Sequence, residues 1–121
     1  MSKKINLYVS YYSKRNTDVD KISISLYPPK WFDGPQIKEF APNYETFKTK
    51  DYNEYKEKYF TQLDNFSFED IKKIIYEHSD GFKKDIALCC YEALKKEGEW
   101  CHRTMFMEYI NEKYGTEVKE L

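Results

Sequence analysis

The sequence predicts an α/β protein: a small, three-layer, Rossmann-like sandwich around a short and mostly parallel sheet. Three observations carry that expectation. Near the start, two stretches alternate apolar with polar residues, as half-buried strands do. In the middle, Asp51-x-x-Glu54 and Ser67-x-x-Asp70 each stand at the head of an apolar stripe of helical period, where a capping box belongs. In the last third, a continuous apolar run is followed by a polar loop, a helical pattern and a short final strand, the order of a strand–helix–strand crossover.

The elements follow in chain order. "KINLYVSYY", 4–12, sets Ile5, Leu7 and Val9 on one side and reads as the first strand. Residues 13–20 are a polar loop. "KISISLY", 21–27, sets Ile22, Ile24 and Leu26 on one face as the second strand. "PPKWFDGP", 28–35, has turn residues at both ends around an exposed-looking Trp31-Phe32 pair. Residues 28–50 read as a long structured loop with one helical turn, and loops of that length in a compact domain are commonly functional. A helix starts at Asp51, with Tyr52, Tyr55, Tyr59 and Leu63 on its stripe. A second opens at Ser67, with Phe68, Ile71, Ile74, Ile75 and His78 inward, and Gly81 as its left-handed cap. "DIALCCYE", 85–92, is a strand buried on both faces. Residues 101–114 form a third helix on Met105, Phe106, Tyr109 and Ile110, and "TEVKEL" is a last short strand. There are no internal repeats, and residues 1–121 read as one domain.

Composition narrows the function classes. Apolar residues are 40% and charged residues 34%, ordinary for a globular protein. No apolar run approaches the roughly 20 residues that span a bilayer, and the first residues lack the apolar core of a signal peptide. Three cysteines without a secretory signal point to free thiols in a reducing cytoplasm. The net charge of −1 gives no bulk attraction to polyanions. Residues 1–50 nevertheless hold nine basic against five acidic side chains, so a modest basic patch is expected there. Only Arg15 and Arg103 among the twenty basic residues are arginines, the type whose planar fork suits a carboxylate or phosphate.

The stretch "EGEWCHRTMFMEYI", 97–110, concentrates chemistry at a helix start. First-turn N–H groups are unpaired there, and the helix dipole adds positive character. Anions bind such ends, and a cysteine beside His or Arg gains thiolate character. Cys101 is therefore the candidate nucleophile, His102 its proton carrier or orienter, and Arg103 an anion clamp. Strand parity puts Leu88, Cys90 and Glu92 on one face, so Glu92 at the strand end is a candidate acid or base. In the crossover reading, strand end and helix start converge on one rim. The plainer readings are a packed His102, small apolar Cys89 and Cys90, and an Arg103 paired with Glu99 or Glu92. Cys90, Cys101 and His102 could supply three zinc ligands, but no C-x-x-C pair exists, and Cys89 and Cys90 face opposite ways. Neither a metal nor a cofactor is expected: a phosphate-binding glycine loop, a dinucleotide turn and a Ser-His-Asp set are absent.

"IALCCYEALKKEGEWCHRTMFMEYINEKYGTEVKEL" resembles the C-terminal signature of the family known as domain of unknown function 488: an apolar strand ending in Leu-x-Cys-x-Glu, a short loop, then Cys-His-Arg opening a helix. Cys90, Glu92, Cys101, His102 and Arg103 match that pattern. "IKEFAPNYETFKTKDYNEYKEKYFTQL" and "ISISLYPPKWFDG" are similar to its mid-region and second strand. The resemblance implies a three-layer α/β fold and a small cytoplasmic protein of a prokaryote or phage. It names no reaction. Sister branches, the YeaO-like proteins, lack the Cys-His-Arg stretch, which implies that the stretch serves something other than the fold. Family members carry an Asp-x-Arg-like element after the first strand; here "SYYSKRN" stands instead, with Arg15 later.

The expected function is a thiol-dependent enzyme acting on a phosphate-bearing or otherwise anionic substrate, a nucleotide or nucleic acid, at the rim of Glu92 and Cys101-His102-Arg103, with Arg15 and Trp31 as further substrate contacts. The alternative is a non-catalytic nucleic-acid- or protein-binding module, in which Lys14, Arg15, Lys21 and Lys30 interleave with Tyr11, Tyr12, Trp31 and Phe32 to hold single strands by charge and stacking. No membrane partner is expected.

Overall fold

A computed structural model describes residues 7–13, 19–79, 85–90 and 101–121. It has a four-stranded, all-parallel sheet in the order β2-β3-β1-β4, where β1 is Leu7–Tyr11, β2 Val19–Ser23, β3 Asp85–Cys90 and β4 Lys119–Glu120. Among the described residues four α-helices accompany it: α1 Tyr44–Phe47, α2 Tyr52–Leu63, α3 Phe68–His78 and α4 His102–Tyr114. The α/β sandwich with a parallel sheet is thus the architecture of the chain. Among the described residues, no helix is long and apolar enough to cross a membrane.

Strand β3 runs between β1 and β2, and all but its first residue are buried. That is why its sequence is a continuous apolar run rather than an alternation. Its registers, Tyr11↔Cys90 on one side and Ser23↔Cys89 on the other, align three carboxyl ends on one rim.

Side-chain parity then divides the core. Val9, Ile22, Ile24, Ile86 and Leu88 face the helices and pack with Phe40, Tyr59, Leu63, Ile71, Met105 and Phe106. Tyr12, Ala87 and Cys89 form a smaller cluster on the opposite face, covered by Tyr8, Val19, Phe32 and Leu121. The turn carrying Phe32 lies close to the sheet at Gly34: a Cβ there would meet the Phe32 ring at 2.6 Å and the Lys21 carbonyl at 3.0 Å.

Local chemistry sets the helix ends. Asp51 accepts from the Glu54 N–H at 2.9 Å, and Ser67 with Asp70 forms a reciprocal capping box. Helix α4 ends at Gly115, in the left-handed conformation at φ 67° that glycine adopts without steric cost. The Asn111 amide then ties both the N–H and the carbonyl of Val118, each at 2.9 Å, which steers the chain into β4. Helix α4 is held to α2 by Lys56 on Glu108 at 2.6 Å, and to the residue ending α2 by the Tyr109 hydroxyl on Asp64 at 2.6 Å.

Two readings differ from the expectation, and the expected start of the first strand at residue 4 lies outside the described residues. β2 spans 19–23 rather than 21–27, because after Ile24 donates to the Cys89 carbonyl the chain leaves the sheet toward Pro28-Pro29. Residues 28–50 hold two helical turns, not one: a 3-10 turn at Lys38–Phe40, and α1, whose N-terminus is capped by the Asn43 side chain on the Thr46 N–H. Gly81, the expected cap of α3, lies outside the described residues.

Candidate functional site

The site lies where β3 ends and α4 begins. Cys101 is the N-cap of α4, in extended conformation at φ −145°, and its carbonyl accepts from the Thr104 N–H and hydroxyl. Its side chain makes no capping hydrogen bond and is half-buried. Its sulfur is instead joined to Cys90 Sγ in a disulfide, with the two Cα atoms 7.2 Å apart. The count of three cysteines pointed to free thiols, but only Cys89 is free among the described residues. Cys90 and Cys101 are paired because consecutive strand residues face opposite ways: Cys90 turns toward the helices and Cys89 turns away.

His102 is buried, with its ring edge-on to Tyr59 at 5.7 Å between centroids. Nε2 is hydrogen-bonded to the Ile24 carbonyl, just past the end of β2. A carbonyl only accepts, so Nε2 carries the proton and Nδ1 presents its lone pair. That lone pair faces Cys101 Sγ at 3.8 Å. Burial above all, then the Arg103 charge, against the Ile24 contact, pulls the imidazole down to about 4. His102 is therefore neutral near pH 7. No imidazolium–thiolate pair stands there.

Arg103 has no solvent exposure. Its Nε donates to Glu120 at 3.1 Å and its Nη1 to Cys90 Sγ at 3.0 Å, and the guanidinium stands 5.9 Å from the Tyr11 ring. The topology explains Glu120. Helix α4 leaves the carboxyl rim and β4 returns to it, so the end of β4 meets the start of α4. A guanidinium on sulfur stabilises negative charge there.

The ligand-type atoms of Cys90, Cys101 and His102 all lie within 4.8 Å of one another, compact enough for one ion. The fixed cation of Arg103 on Cys90 Sγ argues for a different use. With the two sulfurs joined neither is a thiolate ligand, and the Arg103 cation repels a divalent ion in a poorly screened setting. The donor set fits thiol chemistry better than zinc.

Of the residues singled out from sequence, Cys101, His102 and Arg103 are thus brought together, and Cys90 joins them. Glu92 and Arg15 lie outside the described residues. Trp31 stands apart. It is 65% exposed and sits edge-on to Tyr12 at 6.3 Å, on the face of the sheet opposite Cys90. Sequence reasoning missed the Ile24 carbonyl and Glu120. The first left no signal, being backbone. The second was signalled by the crossover itself, which returns the last strand to the helix start.

No protein-family model, no curated protein and no solved structure matches the chain.

Proposed function

We propose that this protein is a thiol-dependent enzyme whose nucleophile is Cys101, acting on an electrophile that carries or develops negative charge. One observation supports this most: the half-buried Cys101 sulfur, at the start of a 13-residue helix, has the neutral Nδ1 of His102 on one side and the Arg103-bound sulfur of Cys90 on the other. The helix start favours negative charge, and a thiolate there is a nucleophile. His102 orients the Cys101 sulfur, and Arg103 holds the Cys90 sulfur beside it. In this reading Arg103 acts on the substrate through sulfur. Phosphate-bearing compounds, nucleotides included, remain the substrate class proposed, with the first-turn N–H groups as their contact. Membership of the domain of unknown function 488 family belongs to the same proposal. It rests on the resemblance of the Cys-His-Arg stretch and agrees with a parallel α/β sandwich.

The test is alkylation of the fully reduced protein with iodoacetamide, followed by peptide mass spectrometry across pH. Cys101 is expected to label first, faster than in the urea-unfolded chain at the same pH. Labelling no faster than in the unfolded chain would remove the nucleophile role.

A second reading has its own observation. Tyr27, Trp31, Tyr44 and Phe47 are exposed, Tyr27 meets Phe47 edge-on at 5.6 Å, and Lys48 Nζ stands 4.9 Å over the Tyr44 ring. Exposed rings with lysines suit stacking on single-stranded nucleic acid. A fluorescent oligothymidylate should then bind at low salt, weaken as salt rises, and bind equally well to Cys101→Ser. No binding at low salt would exclude it.

A further inference from the structure

We infer that Cys90 and Cys101 form a catalytic dithiol that reduces disulfide substrates, Cys101 attacking and Cys90 resolving. The inference rests on Cys101 as nucleophile; it names a disulfide in place of a phosphate-bearing compound as the electrophile, and it adds the second sulfur.

Four features of the site carry it. The two sulfurs are joined as a disulfide in the structure, so the oxidised end state already fits the rim. Cys90 is 1% exposed and Cys101 is half-buried, so a substrate reaches only Cys101. Cys90 receives a guanidinium N–H of Arg103 at 3.0 Å, which favours charge on that sulfur once the pair is reduced, while Cys101 Sγ faces His102 Nδ1 at 3.8 Å. The third cysteine, Cys89, points to the other face and donates to the Ala87 carbonyl at 3.5 Å, so it does not compete.

The steps balance. The structure holds the pair closed as a disulfide, and an external dithiol first opens it; in the reduced form that carries one proton, Cys101 is the thiol and Cys90 the thiolate. The Cys101 sulfur attacks one sulfur of the substrate RSSR as its proton passes to Cys90. The substrate S–S bond breaks, a mixed disulfide forms, and RS⁻ leaves. That thiolate takes the proton from Cys90 and departs as RSH. The Cys90 thiolate then attacks the Cys101 sulfur, the mixed disulfide breaks, and a second RS⁻ leaves. The products are one intramolecular disulfide, RSH and RS⁻: two electrons move from the dithiol to the substrate.

The closing experiment mixes the reduced full-length protein with glutathione disulfide and follows intact mass over time. The wild type is expected to pass through a transient adduct of one glutathione and finish two hydrogens lighter, without adduct. Cys90→Ser should stop at one glutathione on Cys101, and Cys101→Ser should not react. Arg103→Met keeps both sulfurs and should prolong the wild-type adduct, a readout that does not depend on Cys90→Ser folding. A wild-type adduct that persists while Cys101 still alkylates rapidly would overturn the resolving role and leave the nucleophile reading standing. If Cys101 neither alkylates nor takes glutathione, both readings fall. One zinc ion retained per chain, with all three atoms blocked to alkylation, would also overturn the dithiol.

Discussion

The two faces of the sheet carry one cysteine each at the end of the same strand, and the two behave as different chemical groups. Cys89 and Cys90 are neighbours in sequence and almost equally buried. Cys89 faces Tyr12 and Ala87, and burial pushes its thiol up to about 12 against the modest opposing charges of Lys21 and Arg103. Cys90 faces the start of α4, where Arg103 donates to it and Cys101 touches it. Burial by itself makes a cysteine inert; burial beside a fixed cation and a second sulfur makes it a partner. The difference comes entirely from the two-residue period of the strand.

The largest expected effect is the contrast in reactivity between the faces. Moving Cys89 from 9.0 to about 12 cuts its thiolate fraction by ~10³ at neutral pH. Competitive alkylation of the reduced protein should therefore modify Cys101 completely before Cys89 reacts. Comparable rates at the two positions would erase the distinction between the faces.

Packing gives the next contrast. Phe106 is fully buried among the helices, 5.0 Å from the Phe40 ring, whereas Phe32 is half-buried on the other face, 4.8 Å from Tyr12. Phe106→Ala should cost about 4 kcal/mol in urea unfolding, and Phe32→Ala less than about 2 kcal/mol. Equal costs would mean that the smaller cluster carries as much of the core as the helical one.

The third prediction concerns pH and separates the helical face from the rest. His102 holds its proton only below about 4 in the folded protein, against 6.5 when unfolded. Between those values the unfolded chain binds a proton that the folded protein refuses. The stabilisation is thus complete above pH 6.5 and is lost as pH falls toward 4, by roughly 3 kcal/mol. The difference in unfolding free energy between wild type and His102→Gln should shrink over that window. A constant difference would show that the imidazole is not held neutral.

Legibility in the sequence followed the same division. Features set by local periodicity were readable: the apolar run of β3, the capping box at Ser67, and the start of α4 at Cys101. The strand parity that separates Cys89 from Cys90 was readable too. The convergence of Cys90 and Cys101 on one rim was readable from the crossover; the bond between the two sulfurs was not, because the residues between them set no distance by their composition. The Arg103–Glu120 pair was half-hidden: the crossover returns β4 to the start of α4, but no pattern says which of its residues arrives there. It depends on where β4 docks, and β4 is a two-residue strand fixed by the Asn111 side chain rather than by an apolar pattern of its own. Tertiary placement, not propensity, built the site.

The smallest expected effect tests whether the opposite face has a polar order of its own. The Tyr12 hydroxyl is within 2.7 Å of both Ser23 Oγ and Ser25 Oγ, in a buried setting, and Ser25 N–H also donates to Ser23 Oγ. Ser10 Oγ, on the same face, is buried with no hydrogen-bond partner among the described residues. Tyr12→Phe keeps the ring against Phe32 and Trp31 while removing the shared oxygen. Ser23 and Ser25 can then bond to each other only if their side chains turn, so the loss should be about 1 kcal/mol rather than the full cost of two orphaned hydroxyls. Glutathione disulfide reduction should be unchanged, because no atom of this cluster belongs to the Cys90–Cys101 pair. A change in that rate with stability intact would mean that the two faces communicate through β3, and the comparison drawn from Cys89 and Cys90 would have to be given up.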